Sequence, residues 1–368
     1  VRFLTTKKER MMTKAEMTMH ERMTRIYAHK EADRAPIIDI PWPSTLARWY
    51  KEGLPQNMEW EDYVGADPIR MIMADNSPRF PRQVLEQTDT YMIHTNEWGA
   101  TKKDWIPISS TPEYLDFSIT DPDTWAKAKQ RMTPDRDRID WDLLKREYKG
   151  WRERGEWVTA AFWFGFEVTY SHMVGVPLFF AMTEQPEWVI DMVNTMVDLC
   201  IALYDMVWDA GYHFDQVNWW NDMGYKGKQF MSVQMYRELF KPADKKAADW
   251  AHSKGLKVYY HSCGNINPLV PELIDAGVDM LNPLEVKAGV DPLALKAQYG
   301  KDLAFHGGLN ALLYDPPERM WAEMERVIPV MKENGGYVIG TDHSIPDNVS
   351  LAQYTEFVKR AKQLARYD

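Results

Sequence analysis

The stretch KVYYHSCGNINPLVPELIDAGVDMLNPLEVKAGVDPLALKAQYGKDLAFHGGLN, residues 257–310, decides how the rest of the chain is read. It holds three short apolar runs, KVYYH (257–261), MLNPL (280–284) and LAFHG (303–307). Runs of this length, rich in Val, Tyr, Leu and Phe, predict buried strands, and the intervals between them are long enough for a helix. Parallel strands require such crossovers, because a helix-length connection is what returns the chain to the same end of the sheet. Working outward, WVTAAFWF (157–164), QVNWW (216–220), YVIGT (337–341) and APIIDI (35–40) read as further strands. Helical periodicity covers 189–211, 233–255, 317–336 and 351–368, and Gly211, Gly255 and Gly335–Gly336 close the first three as C-terminal caps. Six clear repeats, with one or two more in the N-terminal third, approach eight. The chain therefore reads as a single α/β domain, 1–368, with the (β/α)8 TIM-barrel architecture.

The N-terminal third is irregular. Residues 1–34 predict a helical extension, with methionines at 11, 12, 17, 19 and 23 on an amphipathic helix. Residues 40–110 predict lid-like decoration, with Pro-rich runs at 41–44 and 75–83 and a short strand at Tyr91–Thr95. The 368 residues carry a net charge of −10, which disfavours nucleic acid as a partner because wrapping it needs a basic surface. Two cysteines, Cys200 and Cys263, cannot make a disulfide framework. The charged N-terminus has no apolar signal core, and no apolar run is long enough to span a membrane. A cytoplasmic protein without a membrane partner is expected.

In such a barrel the chemistry lies where strands end at their C-terminal side. Glu167 follows the 157–164 run and Asp222 the 216–220 run; His261 and Cys263 follow 257–260; Glu285 follows 280–284; His306 and then Asp342–His343 close the last two. Three of the nine histidines and one of the two cysteines thus fall on strand ends. The densest pattern is His261-Ser262-Cys263. Residues i and i+2 on a strand point to the same side, roughly 7 Å apart at the α-carbons. Imidazole and thiolate are preferred donors for Zn²⁺, at about 2.0 and 2.3 Å. A third ligand must come from another strand, with His343 first in line and Glu167 and His306 behind it.

The segments 257–310 and GGYVIGTDHSIPDNVS (335–350), with ERMTRIYAHKEADRAPI (21–37) and EWGAT (97–101), resemble the uroporphyrinogen decarboxylase superfamily. The resemblance covers nearly the whole chain and implies the same barrel. Its decarboxylases carry an Arg-rich M-R-Q-A-G-R-Y stretch that grips substrate carboxylates, and the corresponding IPWPSTLARWYKEGLP (40–55) lacks it. Its cobalamin-dependent methyltransferase branch carries an H-x-C zinc motif, matched by His261 and Cys263. That branch usually has a Cys as third ligand in a segment before a Pro; the matching IGTDHSIPDN (339–348) places His343 there.

Two reactions fit that resemblance. In one, a methoxylated aromatic gives its methyl group to the Co(I) of a corrinoid, with Zn²⁺, Glu167, Asp222 or Glu285 assisting the departing phenolate. In the other, a zinc-bound thiol takes a methyl group from methylcobalamin. A decarboxylase-like enzyme is the remaining alternative. The chain carries no D-x-H-x-x-G cobalamin motif, so the corrinoid is expected on a separate protein, and a homodimer is possible. The aromatic content, 16 Trp, 18 Tyr and 13 Phe, favours the methyl ether. Trp163, Phe166, Trp219 and Trp220, together with His306, are the expected substrate-binding residues.

Overall fold

In the computed structural model, which describes residues 16–106 and 109–367, seven strands form one parallel sheet. Their order is Ile69–Met73, Trp157–Phe162, Gln216–Trp220, Lys257–His261, Met280–Asn282, Ala304–His306 and Tyr337–Val338. The segment 36–40 joins the two ends of that sheet. Ile38 N donates to Ile339 O at 2.9 Å and Ile339 N to Pro36 O at 2.8 Å. On the other side Asp67 N donates to Ile37 O at 2.8 Å, just ahead of the Ile69 strand. Joining both edges gives a closed (β/α)8 barrel.

Two expectations change. The strand Ile69–Met73 lies inside the range read as decoration. It pairs with the next strand from Ile69↔Trp157 to Met73↔Ala161. Its sequence, IRMIM, carries an Arg and leaves Met73 exposed, so it lacks the uniform apolar run of its neighbours. The single helix expected over 233–255 is two, Val233–Leu239 and Lys241–Ser253. Pro242 has no N–H to continue a ladder but suits a first helical turn, so one helix stops and another starts there.

Alternation along the strands separates two environments. Val158, Ala160 and Phe162 face the helices, where the Phe162 ring meets Tyr204 at 5.1 Å and Trp250 at 5.4 Å. Trp157 faces the barrel interior, and its indole N–H donates to Gln216 Oε1 at 2.9 Å. Tyr27 OH donates to the same oxygen. Tyr27 belongs to the helix Met19–Tyr27, which opens on a Thr18/Glu21 capping box. Met19, Met23, Ile26 and Tyr27 pack with Ile38, Trp157, Met280, Ala304 and Val338 and plug the N-terminal end of the barrel. Of the methionines read onto this helix, Met11 and Met12 lie outside the described residues. The opposite end carries the mouth.

Over that mouth lies a four-stranded antiparallel sheet of Val84–Gln87, Tyr91–Thr95, Ala100–Trp105 and Glu113–Phe117. It is tied to the barrel by Tyr114 OH, 2.8 Å from His172 Nδ1. Among the described residues no helix is long and apolar enough to cross a membrane.

Candidate functional site

The strand Lys257–His261 lies between Gln216–Trp220 and Met280–Asn282, with His261 in register with Trp220 and Asn282. Cys263 follows in the turn, its Sγ 3.4 Å from His261 Nε2. Asp222 Oδ1 stands 3.5 Å from the same nitrogen and accepts from Cys263 N at 2.8 Å. Donor atoms of Asp222, His261 and Cys263 thus lie within 4.8 Å of one another, the one such group among the described residues.

Asn282 fixes the imidazole. Its Nδ2 donates to His306 O at 3.2 Å, so its Oδ1, 2.5 Å from His261 Nδ1, accepts. The ring therefore carries its proton on Nδ1 and turns the Nε2 lone pair toward Cys263 and Asp222, the tautomer a metal ligand needs. Burial, then the carboxylates of Asp222, Glu285 and Glu167, push the Cys263 thiol well above its ordinary pKa. A thiol and an oriented imidazole among three carboxylates form a donor set that fits a divalent cation such as Zn²⁺. The turn requires glycine after Cys263: Gly264 has φ +82°, and a Cβ there would stand 2.0 Å from Gly224 C.

Glu167 heads the π-helical turn Val168–Val174. Its N–H donates to Asn221 Oδ1 at 3.0 Å, and its Oε2 accepts from Asp222 N at 3.2 Å. Burial, and next the Asp222 charge, raise its pKa to about 8. Glu285 Oε2 accepts from Gly264 N at 2.5 Å, and its Oε1 lies 3.3 Å from Lys287 Nζ. The fully buried Asp342 accepts from Val286 N at 3.0 Å and Ala311 N at 2.8 Å, pinning the turn that carries Glu285 and Lys287.

His343 is not in the three-residue group. Its ring lies tilted 36° against Trp42 at 5.6 Å. Asp222, expected as a catalytic acid or base, stands beside His261 and Cys263 and completes that group. The Asp222 strand neighbours Lys257–His261, whereas Tyr337–Val338 is three strands away, and His343 lies in the field of Lys287, Glu285, His261 and Asp222.

The aromatic residues divide between the mouth and the core. Trp163 and Trp220 stack at 4.8 Å with 19° between planes. Trp219 is fully buried on the helix side, its indole N–H donating to Asp244 Oδ1 at 3.1 Å. Phe166 is also fully buried, against Tyr170, Phe230 and Phe240. Neither lines the mouth, so both are corrected to core. His306 is corrected likewise: Nδ1 lies 2.7 Å from Tyr259 OH and Nε2 3.0 Å from Ile38 O, leaving neither nitrogen for a substrate. Burial lowers its pKa to about 4, so it stays neutral. Asn282, Lys287 and His172 had no signal in the sequence; each is recognisable only beside the residue it faces.

A cavity of about 690 Å³ lies between the antiparallel sheet and the ends of the Ile69–Met73 and Trp157–Phe162 strands. Trp98, Trp163, His172, His94 and Lys102 are among its lining residues. Burial, and then the Lys102 charge, lower the His172 pKa to about 4. Trp163 connects this cavity to the metal-type group, because its stacking partner Trp220 is paired with His261 and precedes Asn221–Asp222.

The uroporphyrinogen decarboxylase (URO-D) family profile matches residues 168–364. The chain belongs to that family. Among solved structures, a methyltransferase from Methanosarcina mazei superposes over 95% of this chain and 99% of its own, with a TM-score of 0.65 at 14% identity. That likeness establishes the shared fold. A D-tagatose 3-epimerase-like protein aligns over 61% of this chain and 83% of its own at 7% identity, with a TM-score of only 0.36. No curated protein matches the chain by sequence.

Proposed function

We propose that the protein is a methyltransferase that removes the methyl group of a methoxylated aromatic and delivers it to the Co(I) of a corrinoid on a separate protein. The observation that carries this reading is the group Asp222, His261 and Cys263 at the barrel mouth, with His261 held in the ligand tautomer by Asn282. The methyltransferase name of the Methanosarcina mazei structure supports the same class. Asp222, His261 and Cys263 would hold Zn²⁺. When bound, the ion supplies a Lewis acid for the ether oxygen, whose departure as a phenolate is otherwise slow.

The chain's own residues supply the rest. Glu167, half-buried and without a cationic partner among the described residues, is held by Asn221 and the Asp222 backbone and provides a proton for the leaving oxygen. Glu285 and Lys287 keep one opposite-charge pair at the edge of the acidic mouth. Trp163 and Trp220 offer an aromatic face to a planar substrate. The oxygen–methyl bond breaks, the methyl group passes to cobalt without its bonding pair, and the phenolate oxygen keeps that pair and takes the proton of Glu167. Cobalt chemistry belongs to the partner's cofactor; positioning and dryness belong to this chain.

The test is incubation of the purified protein with a reconstituted Co(I) corrinoid protein, a panel of methoxyarenes and, separately, thiols with methylcobalamin. Phenol release matched by methylation of cobalt is expected. Methylation of thiols alone would replace this reading with the thiol reaction, and coproporphyrinogen formed from uroporphyrinogen would restore the decarboxylase.

A further inference from the structure

The cavity under the antiparallel sheet has a hydrogen-bonding bias of its own. At about 690 Å³ it has the size of a small-molecule pocket. Trp98 and Trp163 supply aromatic surface, and Trp163 is backed by the Trp220 ring at 4.8 Å. Most side-chain acceptors of the lining are engaged, Asn76 Oδ1 being an exception, since Asn76 instead donates through Nδ2 to Trp163 O at 2.6 Å. Asp75 accepts from Ser77 N at 3.0 Å, Ser77 Oγ at 2.6 Å and Arg79 Nε at 2.8 Å. Asn96 Oδ1 accepts from Trp98 N at 3.1 Å and Ala100 N at 2.9 Å. Glu97 pairs with Arg82 at 2.9 Å.

The donors are in the opposite condition. The indole N–H groups of Trp98 and Trp163 and the side-chain NH₂ of Asn96 have no partner among the described residues. Lys102 meets Asp104 at 3.1 Å, while His94 Nε2 lies 2.6 Å from the same carboxylate oxygen. An ammonium carries three protons, so Lys102 keeps donors beyond that contact. A lining whose unpartnered groups are mainly donors calls for a ligand rich in acceptors and poor in donors. A carboxylate, with two oxygens that only accept, is that group.

We propose that this cavity binds a planar aromatic acid, its ring against Trp98 and Trp163 and its carboxylate on Lys102, Asn96 and the indole N–H groups. The methyl-transfer reading adds only that this acid carries the methoxy group. The carboxylate end is what selects the ligand. A neutral carboxamide of the same shape would turn an NH₂ toward groups that are themselves donors, and it would forgo the charge-assisted bond to Lys102.

The experiment is calorimetric titration of the full chain, without any corrinoid protein, using meta-methoxybenzoate and meta-methoxybenzamide as probes. The acid is expected to bind about tenfold or more tighter than the amide, the scale of a hydrogen bond to a charged group. Lys102→Gln should bring the two affinities to within about threefold. Equal affinity for both probes in the wild type would overturn the proposal, and that comparison needs no variant to fold. A preference for the acid that survives intact in folded Lys102→Gln would overturn it as well. Phenol release from methoxyarenes by an enzyme indifferent to acid and amide would sink this inference and keep the methyl-transfer reading. Acid-selective binding without methyl transfer to cobalt would do the reverse.

Discussion

Replacing Asn282 with Ala tests the metal centre through a residue that touches no metal. Asn282 Oδ1 stands 2.5 Å from His261 Nδ1, and its Nδ2 holds His306 O at 3.2 Å. Asn282→Ala removes the acceptor, so the His261 ring is free to rotate and to exchange its proton between nitrogens. Loss of such a partner lowers metal affinity by about 10- to 100-fold, or about 1.4–2.7 kcal/mol. The wild-type pair is well placed to deliver that effect, because Asn282 is nearly fully buried and water cannot simply replace it. Asn282→Asp should move affinity the other way, since a carboxylate makes the imidazole a stronger donor. Zinc affinity measured by competition with a fluorescent chelator reads both changes, with far-UV circular dichroism confirming the fold. Wild-type affinity in a folded Asn282→Ala variant would refute the argument that His261 is an oriented ligand. Cys263→Ala and His261→Ala calibrate the scale and should lose the metal outright.

Three further outcomes follow from the same geometry. Glu167→Gln should retain zinc yet lose about 10²–10⁴ in demethylation rate, less for ethers of acidic phenols; unchanged turnover with every substrate would reduce Glu167 to wall. Asp244, buried and raised to about 7, binds its proton more tightly in the folded state than in the unfolded chain. Its contribution to stability is therefore complete at low pH and is lost as pH rises from about 4 to 7, so Asp244→Asn should flatten the thermal melting profile across that window; an unchanged slope would assign it elsewhere. Gly264→Ala should destabilise by about 2 kcal/mol or more, because a left-handed residue at φ +82° gains a Cβ 2.0 Å from Gly224 C; a melting temperature within a degree or so of wild type would count against that packing.

The sequence by itself determined the barrel and one edge of its site. Apolar runs such as KVYYH and WVTAAF announce buried strands because a parallel strand is covered on both faces, and that pattern is local. His261-x-Cys263 is equally local, since the strand end and the turn that directly follows it keep the two side chains together, Sγ 3.4 Å from Nε2. Tertiary structure decided everything that depends on which strands are neighbours. Asp222 stands next to His261 and Cys263 because sheet order puts its strand alongside. Strand parity decided that Trp220 faces the mouth while Trp219 is core, and the helical turn after Gly165 turns Phe166 into the core; aromatic composition has access to neither. IRMIM at 69–73 became a barrel strand only through its pairing with Trp157–Ala161, since its own residues lack the uniform apolar run of a covered strand. The free donors of Trp98, Asn96 and Lys102 form one lining only after the antiparallel sheet folds over the barrel mouth. Hydrophobic periodicity is encoded along the chain, whereas a site is assembled across it, from residues whose separation in sequence carries no information about their distance in space.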